Sequence, residues 1–74
     1  MVKLDGEGCE YYLLDVPNHL IKKTPYWIID FHRLKKNKKK MLLITRKFAE
    51  SGFIRVKTFP VMLDCQVLHF KKVI

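Results

Sequence analysis

A run of six residues, Lys-Lys-Asn-Lys-Lys-Lys at positions 35–40, separates two of the most apolar stretches of the chain, residues 26–34 and 41–44. Its five ammonium groups repel one another and cannot be buried together, so this segment has to lie on the surface of whatever fold the chain adopts. Apolar segments on both sides of a charged segment are typical of a hairpin. We therefore expect a lysine-rich loop between two strands.

The chain is short, and its 74 residues predict a single domain spanning residues 1–74 with a small core. Hydrophobic residues make up 49% of the sequence and aromatic residues 12%, which is more than a disordered chain carries. The apolar runs fall far short of the roughly 20 residues that span a bilayer, and the N-terminus has no apolar signal core. We expect a folded cytoplasmic protein that does not associate with membranes.

Alternation of apolar and polar side chains is the clearest local signal, and it favours strands. It is evident in residues 53–59 and 61–71, both rich in β-branched or aromatic residues. Residues 9–16 are also predicted to form a strand, which ends at Pro17.

Residues 24–36 allow two interpretations, and the fold class depends on them. Thr24 and Pro25 suit the start of a helix over residues 25–36. The Tyr, Trp, Ile and Phe side chains that follow favour instead a strand over residues 26–34, paired through the lysine-rich loop with residues 41–48. We predict an all-β fold, a small antiparallel five-stranded barrel or sandwich. The alternative is an α+β fold with one helix, at about residues 25–36, packed on a four-stranded antiparallel sheet.

No pattern of residues predicts chemistry. Cys9 and Cys65 belong to no CxxC or histidine-containing ligand spacing, so we expect buried free thiols, no metal site and no cofactor. His19, His32 and His69 accompany no recognisable catalytic motif, and isolated histidines more often make structural hydrogen bonds. We therefore predict that the protein is not an enzyme and has no catalytic residues.

The charge distribution indicates an anionic partner. The net charge is +8, and residues 21–47 hold ten of the fifteen cations with Asp30 as their only acid. Such asymmetry is typical of proteins that bind polyanions. We predict a small nucleic-acid-binding protein, whose lysine-rich loop and neighbouring arginines contact the phosphate backbone of DNA or RNA. The predicted binding residues are Arg33, Lys35, Lys36, Lys38, Lys39, Lys40, Arg46, Lys47, Arg55 and Lys57.

Two other functions fit the same charge. One is a protein-interaction or inhibitor module, of the kind that phages and mobile elements encode, docking on an acidic protein. The other is a metal-independent ribonuclease or toxin-like protein, with Arg33, Arg46, Arg55 and His69 as candidates. Small basic toxins of the RelE type are similar in carrying such residues on a C-terminal antiparallel sheet, but they place two helices before it and this chain lacks that pattern. The choice among these partners and the oligomeric state stay open.

Overall fold

The computed structural model describes residues 1–5, 8–59 and 62–73. The strands form one sheet in the order β1-β2-β4-β3, in which β1 runs parallel to β2 and the other neighbours are antiparallel. The elements, in chain order, are β1 (Val2–Leu4), a 3-10 helix (Cys9–Asp15), α1 (Asn18–Ile21), β2 (Tyr26–Phe31), α2 (Leu34–Glu50), β3 (Phe53–Thr58) and β4 (Gln66–Lys72). The fold is α+β, and its mixed sheet does not close into a barrel.

The all-β prediction is therefore wrong. The alternative had the correct class, but its helix was placed on residues 25–36 and its sheet was expected to be purely antiparallel. The strands predicted at 26–34 and 53–59 are confirmed as β2 and β3. The strand predicted at 61–71 corresponds to β4, and Pro60 and Val61 lie outside the described residues. Two predicted strands are wrong, because residues 9–16 contain the 3-10 helix and residues 41–48 belong to α2.

Helix α2 forms because its apolar residues recur at helical spacing. Leu34, Met41, Ile44 and Phe48 are buried along one side of it, at intervals of seven, three and four residues. Lysine, leucine and methionine have high intrinsic helix propensity, so the lysine run extends the helix that these residues anchor. Residues 35–40 consequently form the first turns of a helix, and the prediction of a lysine-rich loop is wrong.

The core lies between α2 and one face of the sheet. Alternate residues of β2, Trp27, Ile29 and Phe31, are buried on the helix side. Phe48 of α2 is fully buried, and its ring stacks on that of Phe70 with centroids 4.6 Å apart. The helix and the sheet are thus joined by direct aromatic packing.

The opposite face of the sheet, which we call the open sheet face, carries a different set of side chains. Ile28 lies opposite His69 and beside Lys3, while Ile54 and Phe59 are about half exposed, at 49% and 48%. This face is therefore partly apolar and partly cationic.

Within the described residues, no helix combines the length and the apolar character that crossing a bilayer requires.

Candidate nucleic-acid interface

Most of the predicted binding residues lie on one element. Seven of the ten are on α2, and Arg33 immediately precedes it. Arg55 and Lys57 lie on β3. We define the α2 basic surface as the exposed cations of this helix and its leading residue, namely Arg33, Lys35, Lys36, Lys38, Lys39, Lys40 and Arg46.

The lysines spread around the exposed side of α2. One stripe along the helix contains Lys35, Lys39 and Arg46, spaced by four and seven residues. The adjacent stripe contains Lys36 and Lys40. Because successive residues of a helix are turned by about 100°, the run 35–40 covers most of the solvent side of its first turns instead of forming a single line.

These five lysines are not neutralised by the protein. Among the described residues, no carboxylate oxygen lies within 4.0 Å of any of their ammonium groups. Two other cations of α2 are engaged: Arg46 pairs with Glu50 at 3.1 Å, and the Lys47 ammonium donates to the Leu14 carbonyl at 2.9 Å. Lys47, which is half-buried, therefore helps to hold the 3-10 helix on α2.

The position of the lysines opposes the electrostatics of the helix. A helix N-terminus carries partial positive charge and is stabilised by acidic side chains, yet the first turn of α2 contains none. Arg33, which precedes the helix, has a positive φ of 53° and caps it with no side-chain hydrogen bond. The lysine side chains and the backbone N–H groups therefore both contribute positive potential at this end of the helix. The Asp64 carboxylate offsets part of that potential.

Asp64 comes from the segment before β4 and caps α2. Its backbone carbonyl accepts the Leu34 N–H at 3.1 Å, and its Oδ1 accepts the Lys35 N–H at 2.8 Å. A carboxylate distant in sequence therefore supplies the acidic group that the helix itself lacks.

Arg55 and Lys57 are not part of the α2 basic surface. A bulge between them puts Arg55 opposite Phe70 and Lys57 opposite His69, so the two side chains face opposite sides of the sheet. Lys57 therefore lies on the open sheet face, whereas Arg55 lies on the helix side of an edge strand.

His69 is the centre of the aromatic part of the open sheet face. Its Nδ1 is 3.1 Å from the Tyr26 hydroxyl, and its ring lies 5.6 Å from that of Phe59. Partial burial lowers the pKa of His69, and the neighbouring Lys57 ammonium lowers it further. A neutral imidazole is therefore favoured in the folded chain.

The four ribonuclease candidates do not converge. His69 lies on the open sheet face, whereas Arg33 and Arg46 belong to the helix layer on the other side of the sheet. Arg55 is on the helix side of β3.

Two leucines interrupt the α2 basic surface. Leu42 is 56% exposed and Leu43 is 44% exposed, each continuing one of the two lysine stripes. Exposed apolar residues at the centre of a charged helix face are a feature of helices that dock on proteins.

A cluster of polar residues at one end of the sheet was missed by the sequence analysis. His32 directly follows β2, and its backbone N–H donates to Oε2 of the buried Glu10 at 2.8 Å. The Tyr11 hydroxyl donates to the His32 carbonyl, and burial raises the pKa of Tyr11 to about 12, with Glu10 contributing. Asp30 and His32 are two residues apart, and side chains at this spacing lie on the same face of an extended chain. This spacing is the sequence signal that the two side chains share a face.

Cys65 lies against the same cluster. Both Cys9 and Cys65 are free, but the prediction that they are buried is wrong, since Cys9 is exposed and Cys65 is half-buried. Partial burial raises the pKa of the Cys65 thiol, and the carboxylates of Asp30 and Asp64 add to the effect. Partial burial likewise raises the pKa of Asp30, opposed by His32.

Comparisons with protein families, with curated proteins and with solved structures found no match to this chain.

Proposed function

We propose that this protein binds nucleic acid through the α2 basic surface, which contacts the phosphate backbone without reading the base sequence. The observation that carries the proposal is the set of five lysines on the solvent side of one helix, with no described carboxylate oxygen within 4.0 Å of any of their ammonium groups. Such a set keeps its full charge available for an external anion.

The density of charge on α2 is comparable with that of nucleic acid. Residues 35–40 advance about 8 Å along the helix axis. Over this length a DNA duplex carries about four to five phosphate charges, close to the five ammonium groups. Each lysine that contacts a phosphate displaces condensed counterions, and the resulting affinity falls as the salt concentration rises.

The side chains on this surface suit phosphate contacts better than base recognition. Lysine acts as a mobile point charge, whereas planar bidentate contacts are made by arginine, and Arg46 of this surface already pairs with Glu50. Asn37, the one amide in the run, is half-buried and donates to the Arg33 carbonyl at 3.2 Å. We therefore expect similar affinities for different sequences.

The test compares two triple variants that remove the same charge from opposite sides of the molecule. Lys38→Gln, Lys39→Gln and Lys40→Gln together alter the α2 basic surface, and Lys3→Gln, Lys57→Gln and Lys71→Gln together alter the open sheet face. Binding to single-stranded DNA, duplex DNA and RNA is measured by fluorescence anisotropy across a salt series.

We expect the α2 variant to bind more weakly and to flatten the slope of log K against log salt by about 2 to 3 on duplex DNA, since each phosphate contact contributes about 0.9. The open-face variant is expected to keep the slope of the original chain. Equal slopes for the original chain and the α2 variant contradict the proposal, as does the absence of binding at about 50 mM salt.

A second function, docking on an acidic protein, is favoured by Leu42 and Leu43. A helix that presents leucines between cations fits an apolar groove rimmed by acidic residues. Replacing both leucines by serine keeps the charge of α2. Nucleic-acid affinity that survives this double substitution supports the phosphate-binding proposal, whereas failure of every nucleic acid to bind at low salt favours the protein partner.

A further inference from the structure

Three side chains with metal-binding atoms, those of Asp30, His32 and Cys65, meet at one end of the sheet, and Asp5 lies beside His32. Asp5 follows β1, Asp30 lies near the end of β2, His32 follows β2, and Cys65 precedes β4. The strand register brings them together, since Ile28 pairs with Lys3 and Phe31 with Gln66. A single group of residues thus joins three strands at their ends.

The distances within this group are short. The ligand atoms of Asp30, His32 and Cys65 all lie within 4.8 Å of one another. His32 Nε2 is 3.7 Å from Asp30 Oδ2 and 3.8 Å from Asp5 Oδ1. Ligand atoms bound to a tetrahedral zinc ion lie about 3.3 to 3.7 Å apart, given bonds of about 2.0 to 2.3 Å. The distances of up to 4.8 Å among Asp30, His32 and Cys65 exceed this range by about 1 Å, so zinc binding requires these side chains to move closer together.

The group has an excess of negative charge that the described protein does not balance. Asp5, Asp30 and the fully buried Glu10 surround one histidine, and no described lysine or arginine lies within 4.0 Å of these carboxylates. This is notable in a chain with a net charge of +8. In addition, Asp30 Oδ1 is a buried atom without a hydrogen-bond partner among the described residues. A bound ion is one way to satisfy a buried oxygen of this kind.

Glu10 is placed to orient the histidine. Its Oε2 is 3.5 Å from His32 Nδ1, on the side of the ring away from Asp5 and Asp30. The same carboxylate accepts the backbone N–H groups of His32 and Gly8, at 2.8 and 3.1 Å, so its own position is held. Glu10 Oε2 and His32 Nδ1 are not hydrogen-bonded in the structure. A shift of the ring that closes this distance would let Glu10 select the tautomer that leaves Nε2 free to bind the ion.

We propose that Asp5, Asp30, His32 and Cys65 form a zinc-binding site, with Glu10 as a positioning residue for His32. The proposal is independent of the function proposed for α2. A set of one thiolate, one imidazole and two carboxylates suits Zn²⁺, whereas Mg²⁺ and Ca²⁺ prefer oxygen ligands alone. Four protein ligands close the coordination sphere, so the site has a structural role.

The position of the site gives that role a physical basis. A domain of this size has a small core, and a metal that joins the ends of β1, β2 and the segment before β4 adds stability that the core cannot supply. Cys65 is next to Asp64, the residue that caps α2. Bound zinc therefore also holds the segment that begins the helix.

The test titrates the full chain, purified with chelator and returned to metal-free buffer, with Zn²⁺ by calorimetry and with Co²⁺ by absorption spectroscopy. We expect one zinc ion per chain and a thiolate-to-cobalt charge-transfer band with tetrahedral d–d bands. We also expect zinc at about 100 times its Kd to raise the Tm by about 10 °C or more. Mg²⁺ is expected to leave the Tm unchanged.

Matched variants identify the ligands. Cys65→Ser and His32→Gln are expected to weaken zinc binding by more than about 100-fold, since even the outer partners of metal ligands contribute about 10- to 100-fold. The controls Cys9→Ser and His19→Gln replace the same residue types at exposed positions and are expected to bind as the original chain does. Glu10→Gln is expected to weaken binding about 10- to 100-fold while keeping the cobalt spectrum tetrahedral.

Three results overturn the proposal. The first is no heat and no Tm change with zinc. The second is undiminished binding by Cys65→Ser and His32→Gln, and the third is loss of binding in the Cys9→Ser control.

Circular dichroism of each metal-free variant identifies those that fail to fold. If Cys65→Ser fails to fold, Cys65→Ala and Asp30→Asn provide the same comparison, and undiminished binding by both of these contradicts the site.

Discussion

The side-chain Oδ1 of Asp64 accepts the backbone N–H of Lys35 at 2.8 Å, so a residue 29 positions away begins the helix that carries the lysines. Asp64 also accepts the Leu34 N–H through its own carbonyl, at 3.1 Å. Two of the N–H groups at the start of α2 are thereby satisfied. This single residue links the segment before β4, the most basic helix and the acidic group around His32.

Replacing Asp64 is expected to destabilise the fold. Asp64→Ala removes the side-chain acceptor and the carboxylate at the helix N-terminus, and it puts alanine at a φ of 64°, a left-handed conformation that Asn and Asp tolerate better. We expect the free energy of unfolding to fall by about 1 to 2 kcal/mol, measured by urea denaturation.

Asp64→Asn is the matched comparison, because the amide keeps an acceptor and tolerates the same backbone conformation. It should cost less than Asp64→Ala, and the remaining loss should shrink as salt screens the charge. Equal stabilities for the alanine variant and the original chain mean that the cap does not contribute.

An acidic residue in the first turn of α2 is expected to stabilise the protein while weakening nucleic-acid binding. Lys36→Glu removes repulsion among the lysines and places a carboxylate at a position where the helix dipole favours it. We expect the unfolding free energy to rise by about 0.3 to 1 kcal/mol at low salt. Urea denaturation measures the first effect and anisotropy the second.

Lys23→Glu makes the same change of charge at an exposed position outside α2. It should leave stability nearly unchanged if the gain in Lys36→Glu comes from the helix terminus and not from lower net charge alone. Equal gains in the two variants assign the effect to net charge.

The stability of the protein is expected to depend on pH through His69. Burial and Lys57 lower its pKa in the folded chain, so below about pH 6.5 the unfolded chain binds a proton that the folded chain resists. The free energy of unfolding therefore falls as pH decreases through about 6.5 and stops falling once the folded histidine is also protonated. Denaturation at a series of pH values from about 8 to 5 measures this.

Other groups also titrate in this range, so the decisive quantity is the difference between the original chain and His69→Gln. That difference should decrease as pH falls below about 6.5. Lys57→Gln, which removes the second cause of the lowered pKa, should make the pH dependence due to His69 smaller. A difference that is constant with pH shows that the folded environment does not disfavour the charged imidazole.

Short-range patterns predicted the strands where one side of the chain meets the core. The β-branched and aromatic residues of 26–31 and 53–58 predicted strands correctly, because such side chains favour the pleated sheet. The alternation in residues 53–58 does not persist through the strand, since the bulge puts Arg55 and Lys57 on opposite faces. Residues 41–48 were read as a strand because the apolar Met, Leu and Ile fit both periods over so few positions. The buried side of α2 becomes evident only when Leu34 and Phe48 are seen to contact the same sheet.

The two candidate sites differ in how far apart in the sequence their residues lie. The lysine run is contiguous, so its surface position and its charge follow from residues 35–40 alone. The proposed zinc site joins Asp5, Asp30, His32 and Cys65, whose separations in sequence match no ligand spacing. Only the pairing of β2 with β4 and of β1 with β2 brings them together.

By itself, the sequence determined that the chain has a folded core, that residues 35–40 lie on the surface and that the positive charge concentrates in its middle, because hydrophobicity, self-repulsion and charge are properties of nearby residues. Tertiary structure alone decided that the lysines belong to a helix, that Asp64 caps it and that Cys65 lies beside His32. These features depend on strand register and on packing between residues far apart in the chain, which local periodicity does not encode.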